Sequence, residues 1–291
     1  MKIKVYLMNS FGLDSSGGNP AGVVLDADSL SDIQKKMIAR EVGFSETAFV
    51  QKSDKADLKV TFFTPIEEVD LCGHATIATY ALLLEKNLLS PGEYLQELKA
   101  GILKININEN GIIVMDQTLP KFKNEIDSIE IVDALQIPVE WVTSTNLIPQ
   151  VVSTGLNDLL IPIKTREQLF SIKLNDERIS RFQKQHGLDS FHMFTFDTIE
   201  KNLVANSRNS DPLHGIHEES ATGSATGALA CYLFDREKLS KYHLNKLLFE
   251  QGYSMGQHSQ ITVSLEVNGQ KITRVQVGGK AVITGEKIIN I

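Results

Sequence analysis

Three short stretches carry side chains able to do acid–base or nucleophilic chemistry. They are Glu46 within Phe44-Ser45-Glu46-Thr47-Ala48-Phe49-Val50, the run Asp70-Leu71-Cys72-Gly73-His74-Ala75-Thr76, and Ala221-Thr222-Gly223-Ser224-Ala225-Thr226. The second opens the apolar run Ile77 to Leu84, and the third opens another that reaches about Arg236. Helices that are apolar nearly all round are buried. The N-terminus of such a helix offers free backbone N–H groups and a positive dipole end to an anionic ligand. The spacing therefore predicts two buried helices, about 73–86 and 223–236, each with an anion site at its start.

The two stretches also match each other. Gly73-His74-Ala75-Thr76-Ile77-Ala78 lies on Gly223-Ser224-Ala225-Thr226-Gly227-Ala228 at an offset of 150, and Leu83 then falls on Leu233. Glu67, Glu68 and Asp70 precede the first copy, Glu218 and Glu219 the second. This predicts a duplicated chain with strands surrounding one central helix in each half and both helix N-termini at a shared cleft. Clefts between domains commonly hold small ligands.

The elements that must position these residues follow from periodicity and punctuation. Strands are expected at 3–10, 21–25, 44–50, 58–63, 94–98, 103–107 and 112–116. The Gly12 to Pro20 loop comes before the second of them, and a helix from Ser29-Leu30-Ser31-Asp32 to about Glu41 sets Ile33, Met37 and Ile38 on one face until Gly43 ends it. The pattern breaks from Leu119-Pro120 to Asn124, the expected domain boundary. Beyond it a short helix is expected at 126–135, strands at 149–155 and 158–163, helices at 165–169 and 176–186, and strands at 191–196 and 203–207. The second special helix follows, then a helix at 242–250 and strands at 260–267, 272–277 and 281–284.

At 291 residues with 42% hydrophobic and 22% charged residues, the chain reads as an ordinary globular protein of two domains. A net charge of −7 argues against a general nucleic-acid binder. No run approaches the roughly 18 apolar residues of a membrane span, and the start alternates like a strand without a signal-peptide core. Two cysteines, Cys72 and Cys231, give no disulfide framework and suit a reducing cytoplasm.

Each reactive residue has a plainer reading beside the chemical one. Strand alternation places Phe44, Glu46 and Ala48 on one face, where apolar neighbours would raise the Glu46 pKa toward neutrality, as a general acid/base requires. From the residues alone, a solvated edge-strand glutamate is simpler. At a helix N-terminus the dipole disfavours protonated His74, leaving a neutral imidazole to polarise a substrate; a capping or packing histidine fits equally. Ser224 could hold a carboxylate or cap its helix. Cys72 could be a reactive thiol or a small core residue, the latter being favoured, and Cys231 reads as core. Cys72 with His74, and His214 with His217, supply two metal ligands each, which completes no site. Gly17-Gly18-Asn19 lacks a nucleotide-loop pattern and reads first as a tight turn, with Asn19 as a ligand contact second.

Taken together, several motifs resemble the PhzF-like proteins, named for an isomerase of phenazine biosynthesis. They are Gly18-Asn19-Pro20-Ala21, Phe44 to Val50, Phe62-Phe63-Thr64-Pro65, Glu68 to Thr76, Ala221 to Ala225, Gln251 to Gly256 and Val277-Gly278-Gly279. The resemblance implies the diaminopimelate-epimerase-like fold, proton chemistry without cofactor or metal, and a homodimer. It makes Glu46 the general acid/base and places His74 and Ser224 in the active site, lined by Gly73 and Gly223. Glu219 stands where the phenazine isomerases carry Asp, and Gln257-His258 where Arg-Pro is frequent, so the substrate is left open. Diaminopimelate epimerases place a Cys before each Gly; here the counterpart of Cys72 is Thr222, which argues against two-thiol racemisation.

The expectation is an α+β chain of two pseudo-symmetric halves, 1–121 and 122–291, each a barrel-like sheet around a central helix. Its last strands are free to return to the first half. The expected function is a cytoplasmic, cofactor-independent isomerase of a small carboxylate-bearing metabolite. Glu46, His74, Glu219 and Ser224 are its catalytic residues, Ser45, Gly73, Gly223 and Asn19 bind substrate, and no metal, nucleic acid or membrane takes part. The alternatives are an epimerase using Glu46 and Glu219, or a metabolite-binding protein without catalysis. A serine hydrolase is remote, because Ser224 lacks the Gly-x-Ser-x-Gly elbow.

Overall fold

The computed structural model describes residues 1–291, which form two compact units, 1–116 with 278–291, and 117–277. In the first unit Lys2–Ser10 pairs antiparallel with both Ala281–Asn290 and Asn19–Val24. Asn19–Val24 runs parallel to Thr47–Gln51, which is antiparallel to Leu58–Phe63. Leu58–Phe63 runs parallel to Gly92–Leu98, and antiparallel pairs continue through Gly101–Ile107 to Ile113–Gln117. The curl closes at Gly278, where a Cβ would stand 2.4 Å from the Ile113 carbonyl oxygen, an approach open only to glycine.

The helix Gly73–Glu85 is buried along nearly its whole length. The crossover helix Asp32–Val42 lies on the other side of the sheet, packed on Val5, Val24, Phe49 and Phe63. A Ser31/Gln34 capping box starts it, and Gly43 at φ 82° stops it.

The second unit repeats the plan. Gln150–Ser153, Asn157–Pro162, Ser190–Thr195, Asn206–Asp211, Leu247–Gln251 and Ser259–Asn268 pair in that order. The senses alternate from antiparallel to parallel, as in the first unit. A short strand precedes the buried helix in both, Glu68–Val69 before Gly73–Glu85 and Ile216–Glu219 before Gly223–Asp235. Helices Ser128–Leu135, Arg166–Ser171 and Asp176–His186 cover the far face over Leu159, Ile161, Phe191 and Met193. This is the expected α+β architecture, with one barrel-like sheet and one buried helix per unit. No helix is long and apolar enough to cross a membrane.

Local corrections concern burial and one element type. Residues 242–250 are not a helix. Tight turns return the Tyr242 and Lys246 N–H groups to Leu239 and His243, and Leu247–Gln251 is then drawn into the sheet. The strand expected at 203–207 runs instead over Asn206–Asp211, six polar residues of which five are buried. Burial there is met by partners, such as Asn206 donating to Glu250 Oε1 at 2.7 Å. Lys121–Glu125, read as a break, is a strand. On the first helix Ile33 and Met37 face solvent; Ile38, Ala39 and the Lys35 stem are buried, with Lys35 Nζ reaching Gln51 and Thr61. The strand expected at 44–50 begins only at Thr47, which matters for Glu46.

Candidate active site

In the first unit, the Gly73–Glu85 helix starts at Cys72, which makes no side-chain capping bond, so its first N–H groups are left for other partners. Thr76 seals the turn behind them, its N–H and hydroxyl both donating to the Cys72 carbonyl at 3.0 and 2.8 Å. Ser10 Oγ donates to the His74 carbonyl at 2.6 Å and ties the turn to the sheet. Asn19, the register partner of Ser10, therefore lies buried at this end of the helix. Gly18 at φ 91° makes the turn before it.

Glu46 precedes its strand, and its backbone carbonyl accepts from the Gly22 N–H at 3.2 Å. Released from strand alternation, its side chain meets His74, with Nε2 to Oε2 at 3.2 Å and the two side chains 9% and 17% exposed. Cys72 Sγ lies 3.5 Å from His74 Nδ1 and 3.8 Å from Nε2. These contacts reverse the charge states expected from the sequence. Burial pushes the Glu46 carboxyl up, but His74, Ser45 and Cys72 outweigh it and hold it below its usual range. Burial pushes His74 down, but Cys72 and Glu46 hold it well above the usual imidazole value. The pair is thus a carboxylate beside an imidazolium, not a neutral acid beside a neutral imidazole. Burial raises the Cys72 thiol. Ser45 is exposed beside Glu46.

In the second unit the buried helix starts at Thr222, again without a side-chain cap, and Thr226 repeats the bonds of Thr76. Thr222 Oγ1 donates to Glu219 Oε2. Gln251, fully buried, fastens the turn: its amide nitrogen donates to the Glu219 carbonyl at 2.7 Å and to Thr222 Oγ1 at 3.1 Å, and its oxygen accepts from the Thr222 N–H at 3.2 Å. Gly252 is obligatory beside it, since a Cβ would stand 2.1 Å from the Gln257 carbonyl oxygen. Ser224 is half-buried in the first turn, and its carbonyl accepts from Thr154 Oγ1 at 3.2 Å. The two neighbouring acids point apart. Glu218 is chelated by Arg208 at 2.8 Å and 2.8 Å, with Ser254 adding a third bond, whereas Glu219 is the register partner of Asn209.

Sequence reasoning missed the groups beneath Glu219. His192 Nδ1 donates to Asn209 Oδ1 at 3.0 Å, both residues being buried, and burial pushes the imidazole down to about 4. Asp158 is fully buried on Ser190 Oγ at 2.7 Å, and burial raises its carboxyl to about 7. A polar run such as Asn206-Ser207-Arg208-Asn209-Ser210-Asp211 gives no periodic signal, so nothing in the sequence set these groups together. The other expectations are simpler. Cys231 is fully buried, its thiol pushed up to about 12, and His214 and His217 are exposed partners of Asp211 and Asp176.

A family model described as phenazine biosynthesis-like protein, PhzC-PhzF, matches residues 8–287. The chain belongs to the PhzF family. It is 33% identical to an uncharacterized isomerase of Clostridium acetobutylicum over 99% of each chain. It is 28% identical to the trans-2,3-dihydro-3-hydroxyanthranilate isomerase of Pseudomonas chlororaphis, over 97% of this chain and 98% of that one. The crystal structure of a PhzF-family protein of Bacillus anthracis is 32% identical and superimposes over 100% of both chains with a TM-score of 0.90. PhzF relatives named as isomerases thus span the whole chain, both helix starts included.

Proposed function

We propose that the chain is an isomerase that moves a proton between carbon positions of a small carboxylate-bearing metabolite, with Glu46 as the base that takes the proton and the acid that returns it. The observation that carries this reading is the buried 3.2 Å pair of Glu46 and His74 at a helix start free of side-chain caps. Held as a carboxylate, Glu46 enters the reaction ready to accept a proton. The negative charge then left on the substrate is met by the imidazolium of His74 and by backbone N–H groups already in place. We assign the substrate carboxylate to the N–H groups at Gly73 and Gly223, and its other polar groups to Ser45, Asn19, Glu219 and Ser224. Proton transfer between carbon and a carboxylate requires no cofactor. From the family resemblance we also infer a cytoplasmic homodimer, which sedimentation and cell fractionation test.

The test is exchange in deuterated water, monitored by NMR. The first compound is trans-2,3-dihydro-3-hydroxyanthranilate, for which the Pseudomonas relative is named, followed by a panel of small unsaturated carboxylic acids. The wild type should place deuterium on carbon of the accepted compound, and Glu46→Gln should lower that rate by about 10² to 10⁴-fold. Full exchange by the variant would remove Glu46 from the mechanism. Deuterium at one stereocentre with inversion would assign epimerisation instead of isomerisation.

A further inference from the structure

Glu46, Cys72 and His74 do more than form a proton pair: one ligand atom from each lies within 4.8 Å of the other two. The sequence supplies only Cys72 and His74 together; the fold brings in Glu46 from the start of another element. Tetrahedral zinc with bonds of about 2.3 Å to sulfur and about 2.0–2.1 Å to nitrogen and oxygen sets ligand edges of roughly 3.6 Å (S to N) and roughly 3.3 Å (N to O). Here Cys72 Sγ to His74 Nε2 is 3.8 Å, and His74 Nε2 to Glu46 Oε2 is 3.2 Å. The same imidazole nitrogen thus faces both other ligands at zinc-like separations. Glu46 Oε2 is buried and receives no well-directed hydrogen bond, the state of an oxygen that still has a lone pair to give.

The surroundings also suit a cation. Ser45 bonds the Glu46 carboxylate, and the Ala75 N–H is directed at the Cys72 sulfur, where it stabilises a thiolate. Ser10 anchors the His74 backbone. The 17% exposure of Glu46 leaves a way in.

We propose that Glu46, Cys72 and His74 form a binding site for a thiophilic divalent cation, zinc in the first place, and that the bound cation inhibits the enzyme. Ligation replaces the thiol proton with a metal–sulfur bond and releases that proton, and any proton on His74, to solvent. The cation takes three protein ligands and leaves a fourth position for water or a substrate carboxylate. It also takes the Glu46 oxygen and the His74 nitrogen from any other task. The metal site is independent of the proton chemistry proposed above, and each can fail without the other.

Cobalt(II), a spectroscopic stand-in for zinc, tests it on the chelator-treated full chain in the absence of substrate and air. One equivalent should produce the intense visible bands of tetrahedral cobalt with a thiolate-to-cobalt charge-transfer band in the near ultraviolet, and zinc should bleach both stoichiometrically. Cys72→Ser should abolish the charge-transfer band, Cys231→Ser should keep it, and Glu46→Gln should weaken binding by about 100-fold or more. Circular dichroism verifies folding, and His74→Gln replaces any variant that fails. Absence of the bands in wild type, or a charge-transfer band that survives Cys72→Ser, overturns the site. Where a substrate is in hand, zinc should stop deuterium exchange and chelator should restore it; exchange undiminished under saturating zinc overturns the inhibition.

Discussion

The two helix starts share a frame and differ in every reactive side chain. Both begin on an extended residue with no side-chain cap, and both are sealed by a threonine four residues on, Thr76 and Thr226. Yet Cys72 corresponds to Thr222 and His74 to Ser224. Glu46, three residues beyond the helix-ending Gly43, corresponds to Ser190, three beyond Gly187. Glutamate, cysteine and histidine in one unit are serine, threonine and serine in the other. A duplicated scaffold thus keeps its anion-ready backbone twice and its titratable groups once. The first start is equipped to move a proton, the second to hold polar groups in place. The carboxylate of the second unit, Glu219, comes from the strand before the helix and is held by Thr222.

Removing His74 probes the largest difference. His74→Gln leaves Glu46 without its cationic partner and free to swing, and turnover should fall on the order of 10²-fold with substrate affinity nearly kept; steady-state kinetics separates the two. Gln251 tests the binding side. Gln251→Ala orphans the Glu219 carbonyl and the Thr222 N–H and should cost about 1–3 kcal/mol in urea unfolding, with a rise in substrate Kd. A variant as stable as wild type would show that the second start is not pinned from this side.

Asp158 gives a subtler probe, because it is bound by the Ser190 hydroxyl that stands where Glu46 does. Burial raises its carboxyl from 3.8 to about 7, so the folded state holds a proton that the unfolded chain releases. Its contribution is full below about pH 4 and is lost as pH rises toward 7. Wild type should therefore lose on the order of 2 kcal/mol between about pH 5 and pH 8 relative to Asp158→Asn, which has no proton to lose. Parallel pH profiles for the two proteins would mean that Asp158 stays charged when buried.

What the sequence made legible follows from physics that is local. The helix starts carry their own signals, Ser31 with Gln34, Gly43, and the two Gly-x-Ala-Thr repeats, and these elements stand where expected. Glu46 was found through its motif, but its charge state was not, because a one-residue shift in strand start turned the side chain from apolar neighbours to His74. The third ligand of the Cys72–His74 pair lies 26 residues upstream of Cys72 and is joined only by folding. Leu247–Gln251 reads as helix until its partners on both sides are known. Burial of the Asn206–Asp211 strand is a property of the side chains that meet it, which no periodicity announces.

The most direct test of the division of labour is to measure solvent-deuterium exchange and substrate Kd side by side for Glu46→Gln and Glu219→Gln. The account requires Glu46→Gln to abolish exchange with Kd nearly unchanged, and Glu219→Gln to weaken binding while exchange at saturation stays within about tenfold of wild type. The reverse pattern, with exchange lost in Glu219→Gln and retained in Glu46→Gln, would contradict it.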